Sequence, residues 1–183
     1  KIDGVREILG IINSAKLIVG YIGHIAEHQN KNIIDLLEAV SIICKNYHIV
    51  VGCVLIHDKA GEIEPAYLKK IMRLITSLNL EKHVSIISDV SEHLKWAYVD
   101  YINVYYFSEY QNNSNEYDYD SVLQKLLSKG RGIIVTNKFY DRYGNFTQTL
   151  KENVCIRLDN NDGENNELLL ANTINSIATT KSK

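Results

Sequence analysis

The sequence predicts an α/β fold, in which a doubly wound parallel sheet carries helices on both faces. Short apolar runs rich in branched residues alternate with stretches whose apolar residues recur at helical spacing. The runs show little polar alternation, which is typical of strands buried on both faces of a parallel sheet. A chain of 183 residues, 45% of them apolar, is long enough to bury the core of one domain. We therefore expect residues 1–183 to form a single domain built from βαβ units.

The first βαβ unit is the clearest one in the sequence. An apolar run over 17–22 predicts a buried strand, Gly23 ends it, and a polar loop including His24 leads to a helix that begins near Lys31. In an open parallel sheet, ligands bind outside the carboxyl ends of the strands, where helix amino termini present free N–H groups to anions. Because Lys31 adds a full positive charge at such a terminus, this unit predicts an anion-binding site.

The remaining elements follow the same alternation. We expect strands over 48–55, 83–87, 102–107, 133–136 and 154–158, and helices over 66–78, 91–98, 122–127 and 164–177. Pro65 suits the first turn of the second helix, since that turn needs no N–H donor from it. That helix is expected to turn four apolar residues inward: Leu68, Ile71, Met72 and Ile75. We expect a helical lead-in over 1–15, a mobile loop over 57–64, an irregular connection over 137–151, and a frayed tail over 179–183.

Charge and hydropathy exclude several classes of partner. The formal net charge is −2 and no basic patch is interleaved with aromatic residues, so we expect no nucleic-acid partner. No apolar run reaches the roughly 18 residues of a membrane span, and no signal peptide opens the sequence. The positive face formed by Lys69, Lys70 and Arg73 leaves open a weak peripheral contact with a membrane, although such a face is usually only solvated.

The three cysteines lie far apart in apolar stretches. Cys44, Cys53 and Cys155 show neither metal-ligand spacing nor the pattern of a disulfide framework. We therefore expect three free thiols that pack as small core residues in a reducing compartment, which predicts a cytoplasmic protein without a metal site.

Two common nucleotide-binding fingerprints are missing from the first unit. A dinucleotide-binding loop needs three glycines in the pattern G-x-G-x-x-G, and only Gly20 and Gly23 are present here. A P-loop needs a glycine-rich loop that ends in Lys and Ser or Thr, and the sequence contains none. A nicotinamide-dependent oxidoreductase is therefore disfavoured.

Several phrases of the sequence occur in the order and spacing of one known family. They are YIGH over 21–24, KN over 31–32, LLEA over 36–39, IVVG over 49–52, VSIISDVSEHLKWAYVDYINVYYFS over 84–108 and GRGIIVTN over 130–137. Together they resemble the C-terminal, donor-binding domain of retaining GT-B glycosyltransferases, the glycosyl transferases of group 1, family 4-like. The resemblance covers nearly the whole chain. It implies a Rossmann-like domain, one half of a GT-B fold, with six parallel strands in the order 3-2-1-4-5-6.

The resemblance also implies a set of site residues. The family holds the donor diphosphate with a loop Arg and a Lys; His24 stands where that Arg is usual, and Lys31 matches the Lys. The family's paired glutamates contact the donor sugar and the ribose. Here Glu109 matches the first by local phrase, whereas Glu116 matches it by spacing and places Gln124 at the second. The implied assignments are catalytic Glu109 and Glu116, and donor-binding Gly23, His24, Lys31, Asp89, Val90 and Gln124.

The function implied by the resemblance is donor binding in a glycosyltransferase that transfers a hexose with retention. The donor is a nucleotide sugar, and no metal or other cofactor is required in the family. The acceptor would bind a second, N-terminal domain that is missing from this sequence, so we expect the isolated domain to be inactive. The alternative is a degenerate, non-catalytic domain of the same fold used for binding or assembly, which the His at position 24 and the lost second Glu favour.

Overall fold

A computed structural model describes residues 10–11, 13–58, 62–108, 119–141, 155–158 and 166–180. Its six strands are β1 (Leu17–Gly23), β2 (Val51–His57), β3 (Val84–Ile87), β4 (Val104–Phe107), β5 (Gly132–Thr136) and β6 (Cys155–Leu158). The main helices are α1 (Asn30–Asn46), α2 (Pro65–Ser77), α3 (Glu92–Val99), α4 (Tyr119–Ser128) and α5 (Asn166–Thr180). A short 3-10 turn, Glu27–Gln29, precedes α1.

All described strand pairs are parallel, and the sheet order is β3-β2-β1-β4-β5-β6. The predicted order and fold class are therefore confirmed. The direction of winding reverses between β1 and β4, which are neighbours in the sheet. In doubly wound sheets, this reversal opens a crevice at the carboxyl edge where ligands bind.

The two faces of the sheet carry separate apolar layers. One layer packs α1, α2 and α5 against alternate residues of the central strands, with Tyr21 and Leu55 at its centre. The other packs α3 and α4 against the opposite face, and includes Ile22 and Phe107. Every residue of β1 is buried, as expected for a central parallel strand whose two faces are both covered by helices.

Gly20 lets β1 lie close to the segment that enters β4. A Cβ atom built at Gly20 would lie 2.7 Å from a side-chain carbon of Ile102, nearer than real Cβ contacts come. The same junction is joined by Asn103, whose side chain accepts the Ile18 N–H at 2.8 Å and whose own N–H is donated to the Ile18 carbonyl at 2.9 Å. Close packing and hydrogen bonding therefore fix the pair of strands at which the winding reverses.

The predicted bounds were wrong in several places. The second strand is Val51–His57 and not 48–55, because the apolar run has no polar residue to mark its start, and His48 adopts a positive φ of 53°. His57 consequently belongs to β2 and not to a mobile loop. Residues 137–141 are helical, and α5 continues to Thr180, so the predicted irregular connection and frayed tail both begin too early.

Helix α2 begins at Pro65 as predicted, and its buried residues are Tyr67, Ile71 and Ile75. Met72 was expected to face the core, but it is 54% exposed. Tyr67 takes the inward position instead, because its ring lies one helical turn before Ile71 on the same face.

Candidate functional site

The carboxyl ends of β1, β2, β3 and β4 bring together the loops that sequence reasoning selected. The loop after β1 begins at Gly23, whose φ of 152° is one that residues with side chains rarely adopt. It passes through the 3-10 turn directly into α1, so the amino terminus of α1 faces this edge. The predicted combination of strand, glycine turn and helix start is present.

His24 is built into the scaffold of this edge. It is only 2% exposed, and its Nδ1 accepts the backbone N–H of Glu62 at 2.7 Å. The Tyr21 hydroxyl donates to the His24 carbonyl at 2.7 Å. Two backbone bonds of Ile25, to Glu62 and Glu64, continue the connection. The loop after β1 is thus joined along its length to the segment before α2.

The chemistry of the His24 ring follows from this contact. A nitrogen that accepts an N–H cannot itself carry the proton, so the neutral ring holds its proton on Nε2. Burial lowers the pKa of His24, with further lowering by nearby His28 and His57 and opposition from Glu62 and Asp58. His24 therefore stays neutral at neutral pH and supplies no full charge to an anion.

The protonation of His24 also shows whether the group that contains it could bind a metal ion. The ligand atoms of His24, His28 and Glu62 lie within 4.8 Å of one another, as do those of Asp35, Glu38 and Glu167. Metal-bound imidazole needs a free nitrogen lone pair. The Nδ1 lone pair of His24 is occupied by the Glu62 N–H, and Nε2 carries the proton, so the first group does not suit a cation.

A buried ion pair joins the loop after β2 to α3. Lys95 Nζ lies 2.8 Å from Asp58 Oδ1, and the two side chains are 4% and 5% exposed. Lys95 also reaches Glu92 at 2.6 Å, while the Asp58 N–H is donated to the Gly23 carbonyl at 3.0 Å. Sequence reasoning missed this pair. A signal existed, because Lys95 precedes the buried Tyr98 and Val99 by three and four residues and so lies on the inward face of α3.

The loop after β3 differs from the loop after β1 in being exposed. Its residues Ser88 and Asp89 are exposed, and Asp89 has a positive φ of 53°. Ser91 caps α3 by accepting the Leu94 N–H at 3.3 Å. Beside the loop lies a cavity of about 340 Å³, lined by Ile86, Ile87, Ser88, Asp89, Val90, Ser91, Leu94 and Tyr98. Asp89 and Val90, both predicted donor contacts, are brought together there.

The site near β4 is described only in part. Asn32, in the first turn of α1, accepts the Ser108 N–H at 2.5 Å and so fastens that turn to the end of β4. Gln124 is exposed on the second turn of α4. Glu109 and Glu116 lie outside the described residues. Lys31 is the second residue of α1, but its side chain lies outside the described part of the structure.

Two further features are not among the contacts predicted from the sequence. A second cavity of about 390 Å³ runs between α2 and β3, and its lining includes Leu68, Met72 and Val84. On the face carrying α1, the Tyr106 hydroxyl donates to Asp35 at 3.2 Å, and burial raises the pKa of Asp35 to about 6. The cavity also includes Ser88, the first residue of the loop after β3.

The three cysteines are free, as predicted. Burial raises the pKa of each thiol, so they suit apolar packing better than reactive chemistry. None of the described helices has the length and hydropathy of a membrane-spanning segment.

Comparison with known proteins places the fold among GT-B glycosyltransferases. The C-terminal domain of a glycosyl transferase group 1 family protein, LpcC, from Francisella tularensis has a TM-score of 0.59 at 12% identity over 90% of this chain and 76% of its own. The pneumococcal O-GlcNAc transferase GtfA, in complex with UDP and GlcNAc, has a TM-score of 0.60 at 15% identity over 92% of this chain. The C-terminal CMP-Kdo binding domain of WaaA from Acinetobacter baumannii has a TM-score of 0.53 at 8% identity over the full chain and 92% of its own.

The likeness is therefore one of fold, and it confirms the resemblance at that level. This chain spans 30% of the GtfA chain, so it corresponds to one domain of a larger enzyme in that comparison. No protein-family model matches the sequence, and no curated protein matches it either.

Proposed function

We propose that this domain binds the nucleotide-sugar donor of a glycosyltransferase that transfers a hexose with retention. The observation that carries the proposal is the arrangement at the carboxyl edge. A glycine turn and a helix start lie where the sheet order reverses, and a partly apolar cavity opens two strands away, after β3. The fold shared with GT-B donor domains supports the same use of this edge.

Each part of the donor has a proposed place. The diphosphate lies at Gly23 and the amino terminus of α1, where Lys31 supplies the positive charge. Negative charge grows on the leaving diphosphate as the sugar is transferred, and a helix amino terminus with a lysine stabilises it. The base occupies the cavity beside Asp89 and Val90. The sugar and ribose lie toward the end of β4, near Glu109, Glu116 or Gln124.

His24 has a structural role in this proposal. Because its ring is neutral and bonded to the Glu62 N–H, it positions the loop that the diphosphate meets. The arginine that is usual at this position in the family would instead add a charged, bidentate contact to the phosphate. Phosphate affinity then depends on Lys31 and the N–H groups of α1, so we expect the affinity for the donor to be low. The acceptor would be bound by a second domain.

The test is calorimetric titration of the protein with a panel of nucleoside diphosphates and nucleotide sugars. Lys31→Ala should weaken binding by about ten- to a hundredfold, the worth of one charge-assisted contact. Lys69→Ala, which removes the same charge from an exposed position on α2, should leave binding unchanged. Binding by none of the panel, or binding indifferent to Lys31→Ala, would favour the non-catalytic alternative.

A further inference from the structure

The cavity after β3 has a largely apolar lining and three exposed polar residues, Ser88, Asp89 and Ser91, which form its rim. Its apolar lining comes from Ile87, Val90, Leu94 and Tyr98, and its volume of about 340 Å³ falls in the range of small-molecule sites. Tyr98 is buried, whereas Leu94 is 39% exposed. Apolar side chains suit the face of a planar ring, while the polar residues of the rim can meet the edge of that ring.

Asp89 gives the rim its chemical character. It is the one charged residue among the described residues that line the cavity, and the other polar ones are Ser88 and Ser91. An ionised carboxylate only accepts hydrogen bonds, and it can accept two from adjacent donors. The backbone on both sides is fixed, since β3 ends at Ile87 and the Ser91 hydroxyl caps α3. The carboxylate therefore belongs to a loop anchored at both ends.

The four common bases present different edges to such a carboxylate. Guanine offers two adjacent donors, the ring N1–H and the exocyclic amino group. Uracil offers one N–H between two carbonyl oxygens, and those oxygens repel a carboxylate. Adenine and cytosine each place an amino group beside a ring nitrogen whose lone pair also repels it. Among these edges, only that of guanine gives an acceptor-only group two charge-assisted hydrogen bonds.

We propose that the cavity after β3 binds guanine through Asp89, so that the donor is a guanosine diphosphate sugar. This inference rests on the proposed function and adds the class of nucleotide to it.

Calorimetric titration of the full chain with GDP, IDP, UDP, ADP and CDP tests the inference. GDP should bind about ten- to a hundredfold more tightly than UDP, ADP or CDP, the difference made by charge-assisted contacts. IDP keeps the N1–H and lacks the amino group, so it should fall between GDP and UDP. Asp89→Asn should remove the preference of GDP over IDP, because the amide can no longer accept both donors.

The variant and its control are matched for folding and charge. Asn tolerates the positive φ of position 89 about as well as Asp does, so the loop should keep its conformation. Glu81→Gln removes the same charge from an exposed position before β3, away from this cavity, and should leave the order of affinities unchanged. UDP binding as tightly as GDP, or a GDP preference that survives Asp89→Asn, would overturn the inference while the proposed function stands. Binding by no diphosphate at all would overturn both.

Discussion

The loops after β1 and β3 lie at the same edge of one sheet, yet polar residues are buried in the first loop and exposed in the second. In the loop after β1, the His24 ring is buried and accepts a backbone N–H, and Gly23 accepts the N–H of Asp58. In the loop after β3, Ser88 and Asp89 are exposed beside a cavity. A polar residue at a ligand-binding edge is therefore not a ligand contact by position alone. The loop after β1 shapes the edge, whereas the loop after β3 presents side chains to it.

The largest effect should come from the buried ion pair that joins the loop after β2, which is bonded to Gly23, to helix α3, which follows the loop after β3. Lys95→Met leaves Asp58 buried without its charged partner, and breaking a buried pair in this way costs about 3–5 kcal/mol. Lys129→Met is the matched control, because the Lys129–Asp100 pair is 31% and 53% exposed and should contribute less than about 1 kcal/mol. Urea denaturation of both variants measures the difference. If both variants lose the same free energy of unfolding, the burial of Asp58 does not determine how much its ion pair stabilises the protein.

A smaller loss is expected from the loop after β1. His24→Leu removes the acceptor of the Glu62 N–H, and an unsatisfied group of this kind costs about 1–3 kcal/mol. His24→Asn retains an acceptor near the position of Nδ1 and should lose clearly less. Denaturation curves compare the two variants. If His24→Asn is as damaging as His24→Leu, the hydrogen bond is not what the ring contributes.

The loop after β3 should tolerate change better. Ser91→Ala removes the side chain that accepts the Leu94 N–H, and loss of such a cap costs about 1 kcal/mol. Ser91→Asp retains a capping oxygen and should stay close to the natural protein. Thermal unfolding of both variants tests this, and a loss above that of His24→Leu would reverse the contrast between the two loops.

The smallest effects should be changes in the dependence of stability on pH. The lowered pKa of His24 gives stability that is fully present above about pH 6.5 and is lost as the pH falls. Asp35 acts in the opposite sense, because its pKa is raised from 3.8 to about 6; its contribution is present below pH 3.8 and is lost as the pH rises through 6.

Asp35→Asn should therefore gain stability relative to the natural protein between pH 5 and 7, while His24→Asn should lose less than the natural protein on acidification. Denaturation midpoints at half-unit steps of pH measure both slopes. Glu81→Gln, at an exposed carboxyl group, is the control. Parallel pH profiles for all of these proteins would contradict the assignment.

The sequence was sufficient for the fold because its signals were local. The apolar run of β1, Gly23 and the spacing of α1 each lie within a few residues, and the order of the strands followed from the family resemblance. The start of β2 was missed because His48 to Leu55 is almost uniformly apolar. Met72 was placed inward because a helical pattern alone does not distinguish it from Tyr67.

The partners of His24 and Lys95 were not accessible in the same way, although the spacing of Lys95 indicates that it faces inward. The partner of the His24 ring is a backbone N–H 38 residues later, and that of Lys95 is a carboxylate 37 residues earlier. Neither residue type indicates such a partner, since Lys is mostly exposed in proteins and His is intermediate in its burial. Asp89 and Val90 could be selected from a short stretch of sequence, because their surroundings come from their own loop and the adjoining helix.

The place of β1 in the sheet also affects the protein during its synthesis. β1 lies between β2 and β4, and the Ile18–Asn103 bond that joins it to the β4 side spans 85 residues. At about 5–20 residues per second, the ribosome takes roughly 4–17 s to supply them. Until then, a strand buried along its whole length has one open edge, the kind of edge that pairs with other chains. The β1 edge of the nascent domain is therefore prone to aggregation until β4 emerges, and a chaperone that holds this edge would shorten its exposure.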